Sequence, residues 1–332
     1  MSQTSRLRRR YTKKILTLLI PLGLTIILIL FFARYIFLGP REETLIVPLA
    51  NVIPNIRSSY AQVIPPATPA PKKETFQASQ KLGNAITNAL VGTHGSYGVV
   101  VENLKTGEGF SDNGNKTYES GSLYKLWVMA LVYEKIKNGE LSEDEVLSQD
   151  VKTLNKEFNI DEDDAEIKDG VETETVGDAL YQMITISDNY SALLLSDKVG
   201  LSSIALFLAQ NGFIESRVGT DGSLPTTSPS DIALFFKKLY GGELANSDKM
   251  INLLKQQKLN GKIPKGLPGG IDVAHKTGEL DDVTHDAGIV YASFGDYIIV
   301  VLSESDDPAN AAGRIANISS AVYDYFNTQD PG

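Results

Sequence analysis

Apolar residues are spread unevenly along the 332-residue chain. Residues 15–33 form a run of 19 without a charge, which as a helix reaches about 28 Å, close to the hydrocarbon thickness of a bilayer. Residues 39–74 show no sustained periodicity and hold seven of the 14 prolines, a composition that favours an extended spacer. From residue 75 the pattern becomes that of a folded domain. Residues 97–104 are β-branched and short. The turn Lys105-Thr106-Gly107 follows, and residues 109–111 are placed to return as the second strand of a hairpin. Leu126, Met129, Ala130, Tyr133 and Ile136 recur at spacings of three and four, which predicts a helix over 123–138 with Gly139 as its C-terminal cap. Further helices are predicted over 176–186, 190–199, 201–211 and 229–239, strands over 271–277, 287–292 and 297–302, and a closing helix over 309–326. Strands at both ends and helices between them predict an α/β fold of the α+β type. Its antiparallel sheet comes from both chain ends and is flanked by helices, with an all-helical subdomain inserted.

Charge sharpens these divisions. Arg6, Arg8, Arg9, Arg10, Lys13 and Lys14 precede the apolar run and Arg34 follows it. Cations on the amino side place that end in the cytoplasm and the rest outside. The expected organisation is a cytoplasmic basic segment over 1–14, a single-pass transmembrane signal-anchor helix over 15–38, a Pro-rich extracytoplasmic linker over 39–74 and a catalytic domain over 75–332. A cleaved signal peptide has a shorter apolar core and a small-x-small cleavage site, neither of which fits here. The domain carries 20 Lys and Arg against 38 Asp and Glu, a net −18 against −10 for the whole chain. Such a surface excludes nucleic acid as the expected partner. The absence of cysteine excludes disulfides, thiolate metal sites and a cysteine nucleophile. His94, His275 and His285 are too scattered for a helix-borne metal pair. The acidic stretch 161–169 has Ala165 and Glu166 where a calcium loop needs an oxygen ligand and then glycine, so it reads as a solvated loop.

Three short motifs carry candidate chemistry. Ser122-Leu123-Tyr124-Lys125 sets a hydroxyl and an amine three residues apart, neighbours on one helix face. Ser122 would lie in the first turn, where free N–H groups and the helix dipole favour developing negative charge. A serine attacks only when a base takes its proton, and a lysine is that base when burial or a neighbouring cation lowers its pKa. Alone, the tetrad is equally a capping serine and a solvated lysine, since about one is expected by chance in a chain this long. Ser187-Asp188-Asn189 lies where two helical runs meet and reads either as a cap and turn or as a proton relay beside an amide-binding group. Lys276-Thr277-Gly278 ends a strand, offering a cation and a hydroxyl to a carboxylate and a glycine for close backbone approach. Lys105-Thr106-Gly107-Glu108 repeats the four letters of 276–279 in a hairpin turn, so this motif means nothing without its context.

Order and spacing supply the context. Ser-x-x-Lys on a helix, Ser-Asp-Asn 65 residues on and Lys-Thr-Gly on a strand 89 further resemble the penicillin-recognising serine hydrolases, and among them class A β-lactamases most. Stretches 173–189, 226–243 and 285–291 extend the likeness over roughly 75–326. The resemblance implies Ser122 as the acylated nucleophile, Lys125 as its general base and Ser187 as the relay to the leaving nitrogen. It implies that Asn189 positions the substrate's amide side chain, that Lys276 and Thr277 hold its carboxylate, and that Gly278 admits close approach. The backbone N–H groups of Ser122 and Glu279 would form the oxyanion hole. No metal or organic cofactor is implied.

One departure changes the expected outcome. Class A enzymes activate the deacylating water with a glutamate in a Glu-x-x-Leu-Asn motif on an omega loop. Residues 211–229 lack that motif, and their only carboxylates are Glu215 and Asp221. Glu279 stands where a small or hydroxyl residue is usual, and its charge repels a substrate carboxylate unless it is turned away. The expectation is a membrane-anchored serine hydrolase of this kind, acylated by β-lactams or by D-Ala-D-Ala-type peptidoglycan stem peptides, with slow deacylation. The alternatives are a penicillin-binding D,D-peptidase and a non-hydrolysing binder of peptidoglycan or β-lactams.

Overall fold

The computed structural model describes residues 76–329 other than 221 and 306. The expected basic segment, membrane helix and linker lie outside the described residues. In chain order the elements are β1 (Gln77–Ala78), α1 (Gln80–Ala89), β2 (Ser96–Asn103), β3 (Glu108–Asp112), β4 (Tyr118–Glu119), α2 (Lys125–Lys137), β5 (Val146–Asp150), α3 (Val151–Glu157), β6 (Val171–Thr175) and α4 (Val176–Thr185). There follow α5 (Asn189–Val199), α6 (Leu201–Asn211), β7 (Thr226–Thr227), α7 (Pro229–Tyr240), α8 (Ser247–Leu254), β8 (Asp272–Glu279), β9 (Thr284–Tyr291), β10 (Tyr297–Glu304) and α9 (Pro308–Gln329).

Six strands form the main sheet in the order β1-β3-β2-β10-β9-β8. Its middle joins the two ends of the domain: β2 pairs antiparallel with β10 from Ser96↔Glu304 to Asn103↔Tyr297. The runs in these strands are continuously apolar because both faces of the sheet are covered. Alternate residues serve different cores. Val99, Val101, Ile299 and Val301 pack with Leu82 and Ile86 of α1 and with Ile315, Ile318, Val322 and Phe326 of α9. Val100, Ile298, Val300 and Leu302 face α2 and α7. Each such side chain, fully buried, contributes roughly 1.5–3 kcal/mol of transfer free energy.

The segment between the two groups of strands is mostly but not entirely helical, which corrects the expected all-helical insertion. Strands β5 and β6 pair antiparallel from Val146↔Thr175 to Asp150↔Val171. Their apolar residues gave no strand signal because Val146 and Val171 face solvent at 63% and 65% exposure. At the centre of the helices lies α2, whose residues from Lys125 to Tyr133 are all buried. A helix apolar on every side belongs in a core, and this one carries the candidate base at its first residue.

Candidate active site

Ser122 lies in a 3-10 turn, Gly121–Tyr124, that runs directly into α2, rather than in the first turn of the helix. In such a turn side chains three apart eclipse, so Ser122 and Lys125 still share one side. Two glycines let β8 touch this turn. Gly121 has φ +47°, and a Cβ there would meet Glu279 N at 2.8 Å; a Cβ on Gly278 would meet Ser120 O at 2.8 Å. No larger residue fits either position without separating the nucleophile's turn from the strand. The backbone N–H of Glu279 is thereby set against the turn that carries Ser122.

Lys125 is fully buried. Its Nζ donates to Ser187 O at 2.6 Å, to Asn189 Oδ1 at 2.7 Å and, more weakly, to Ser187 Oγ at 3.4 Å. Burial lowers its pKa from 10.5 to about 7, against the opposing pull of Asp188 and Glu166. Lys276 shares a face of β8 with Ala274, which packs into the helical core, so its amine also turns that way. It donates to Ser187 Oγ at 2.9 Å and to Thr277 O at 2.9 Å. Burial, then the charges of Lys125 and Lys262, push its pKa down.

Ser187 therefore receives N–H donors from two lysines, which leaves its own hydroxyl proton free to point into the cleft. Its backbone is held at φ +65°, a region a serine enters only under constraint. Its carbonyl bond to Lys125 is part of that constraint. The cap-and-turn reading holds for the middle residue of the motif: Asp188 Oδ1 caps α5 by accepting from Ser191 N at 2.8 Å.

Ser122, Ser187, Asn189, Thr277 and Glu279 border one cavity of about 360 Å³, walled further by Leu224, Leu259 and Leu280. Lys125, Lys276 and Gly278 lie behind its surface. The Glu279 carboxylate is turned onto Lys262, a buried lysine that also donates to His285 O at 2.8 Å. The repulsion expected between Glu279 and a substrate carboxylate is thus offset by a cation that no sequence motif marked. Opposite, Asn189 Nδ2 donates to Glu166 Oε1 at 2.5 Å. With Oδ1 on Lys125 and Nδ2 on a carboxylate, Asn189 has the one amide orientation that satisfies both neighbours.

Glu215 does not border the cavity; its N–H is tied to the buried Asp231 Oδ2 at 2.9 Å. Asp221 lies outside the described residues. The duplicate Lys105-Thr106-Gly107-Glu108 also stays away from the cavity: it is a hairpin turn in which Asn103 Oδ1 accepts from Lys105 N and Thr106 N, both at 3.0 Å. His275 and His285 serve the frame. Asp286 Oδ1 and Asn260 Oδ1 hold the two ring nitrogens of His275. His285 Nε2 donates to Glu119 O at 2.8 Å while Nδ1 accepts from Ser303 N at 3.1 Å. Among the described residues no three acidic or histidine side chains converge on a metal position.

A family model described as the beta-lactamase enzyme family matches residues 81–326. The chain belongs to the beta-lactamase enzyme family. Within it, the curated relative beta-lactamase CARB-4 of Pseudomonas aeruginosa is 24% identical over 254 residues, covering 70% of this chain and 85% of that one. Among solved structures, PBP-A superposes with a TM-score of 0.66 at 22% identity, covering 76% of this chain and 98% of its own. A beta-lactamase from Sphaerobacter thermophilus DSM 20745 gives 0.64 at 25% identity, covering 75% and 98%. The fold is that of this family, and the protein is a serine hydrolase of the β-lactamase and penicillin-binding type.

Proposed function

We propose that this protein is a membrane-anchored, extracytoplasmic enzyme acylated on Ser122 by β-lactams or D-Ala-D-Ala-type peptides, and that it releases the acyl group slowly. The observation that carries the reading is the pair of buried lysines sharing Ser187 Oγ beside the Ser122 turn. A lysine with a pKa of about 7 has enough neutral amine at physiological pH to take the Ser122 hydroxyl proton. As that proton moves to Lys125, Oγ adds to the amide carbonyl, and the N–H groups of Ser122 and Glu279 stabilise the oxyanion. The C–N bond then breaks as the leaving nitrogen takes a proton from Ser187, which is replenished from Lys125. The result is an ester on Ser122 and a free amine. Lys276 and Thr277 hold the substrate carboxylate, and Asn189 holds the side-chain amide.

Slow release rests on what borders the cavity. Among the described residues Glu279 is the only carboxylate lining it and is engaged by Lys262, Glu166 reaches it only through its bond to Asn189 Nδ2, and the segment after α6 lacks the Glu-x-x-Leu-Asn motif. A variant of PBP-A solved as an acyl-enzyme complex with penicillin G shares the fold at a TM-score of 0.64 and 21% identity, which supports penicillin as the probe. The anchored, external placement rests on the apolar run and its flanking cations. A D,D-peptidase would use the same acylation with a peptide as donor. The test is labelling with a fluorescent penicillin: wild-type protein takes the label and Ser122→Ala does not. Unlabelled wild type, or a labelled Ser122→Ala variant, contradicts the proposal.

A further inference from the structure

The loop between α3 and β6 is not simply a solvated acidic stretch. Its residue Ile167 is clamped to the helix that carries Asn189. Tyr190 Oη accepts from Ile167 N at 3.1 Å and donates to Asn155 Oδ1 at 2.8 Å, and Asn155 Nδ2 donates to Ile167 O at 2.9 Å. Tyr190 and Asn155 are only 4% and 8% exposed, and every polar atom of the clamp has its partner. Ile167 follows Glu166 directly, so the clamp fixes the backbone beside a carboxylate. That carboxylate ends 2.5 Å from Asn189 Nδ2, the amide donor at the cavity wall.

In the free protein, then, the hydrogen-bond donor that the proposed function offers to a substrate's amide carbonyl is already engaged by a carboxylate. A carbonyl entering there must displace Glu166 and leave a negative charge beside the bound acyl group. A substrate with a free ammonium near that amide supplies the displaced carboxylate with a new partner. One without it does not. Resting on the proposed function, we infer that Glu166 is a specificity-determining residue that selects acyl donors carrying a free ammonium group next to the side-chain amide.

The probes are benzylpenicillin and its α-amino derivative, which differ in this ammonium. Second-order rate constants for acylation of Ser122 are measured by intact mass for the wild type and for Glu166→Gln, which keeps the shape and removes the charge. A carboxylate and an ammonium about 4 Å apart near a surface predict a preference of about fivefold or more for the amino compound in the wild type at low salt. In Glu166→Gln the two penicillins react within about twofold of each other. Equal preference in both proteins, or none in the wild type, overturns the inference while leaving the acylation reading intact. A wild type acylated by neither compound overturns the acylation reading, and the inference with it. Denaturation midpoints of the two proteins are compared alongside; the exposed Glu166 is expected to leave the midpoint unchanged, and a loss of preference accompanied by a large drop in midpoint counts against a specificity role.

Discussion

Lys125 makes the pH dependence of acylation quantitative. Its amine is taken wholly out of water and receives no direct carboxylate partner, so the charged form is disfavoured by the shift from 10.5 to about 7, on the order of 5 kcal/mol. Only the neutral amine can accept the Ser122 proton. With a pKa of about 7, roughly one tenth of Lys125 is neutral at pH 6 and roughly nine tenths at pH 8. The single-turnover acylation rate at saturating β-lactam is therefore expected to rise about tenfold from pH 6 to pH 8 and then level off. Saturation separates this step from substrate capture by Lys276. Stopped-flow acylation with a chromogenic cephalosporin reads the rate directly. An amine left at its ordinary value would instead give a rate still climbing about tenfold per pH unit above pH 8. That result refutes Lys125 as the base, as does a Lys125→Ala variant that acylates at the wild-type rate.

Three further outcomes follow from the same geometry. Gly121→Ala forces a Cβ against Glu279 N, and the loss of that donor's alignment should lower acylation by about 10²–10³-fold with the fold retained, measured as rate against circular dichroism. His285 is buried as the neutral ring with a pKa of about 4, against 6.5 when open to water, so the unfolded chain binds its proton first as pH falls. Stability then declines between about pH 6.5 and pH 4 by on the order of 3 kcal/mol. Denaturant unfolding across that range checks it, and a pH-independent stability there contradicts it. At Ser187 the positive φ is compared with the hydroxyl held absent: Ser187→Gly should be more stable than Ser187→Ala by about 1 kcal/mol in denaturant midpoints.

How much of this was legible in the sequence depends on what each residue depends on. The motifs at Ser122, Ser187 and Lys276 could be found because their chemistry is local and their order is informative, and the strands 97–104 and 297–302 announced themselves by β-branched runs. Helix α1 was missed because Leu82 and Ile86 are the only large apolar side chains among its ten residues. Helix α8 carries buried Met250, Leu253 and Leu254 at helical spacing but escaped because it is only eight residues long. Lys262 carries no local mark. It matters because the pairing of β8 with β9 brings Glu279 and His285 to its amine. Glu166 was read as one of a run of solvated acids, and nothing in its neighbours shows that a buried tyrosine 24 residues later turns the loop back. The two Lys-Thr-Gly-Glu stretches show the same limit: identical letters make a cavity wall in one place and an exposed turn in the other.

The central claim is that one hydroxyl in this cleft forms a lasting ester. Mixing the protein with benzylpenicillin and following intact mass, with peptide mapping of the adduct, tests it most directly. A gain equal to one whole penicillin, located on the peptide that holds Ser122 and persisting for minutes or longer, is the expected result. An adduct on any other residue, or a penicillin recovered unchanged beside unmodified protein, contradicts it.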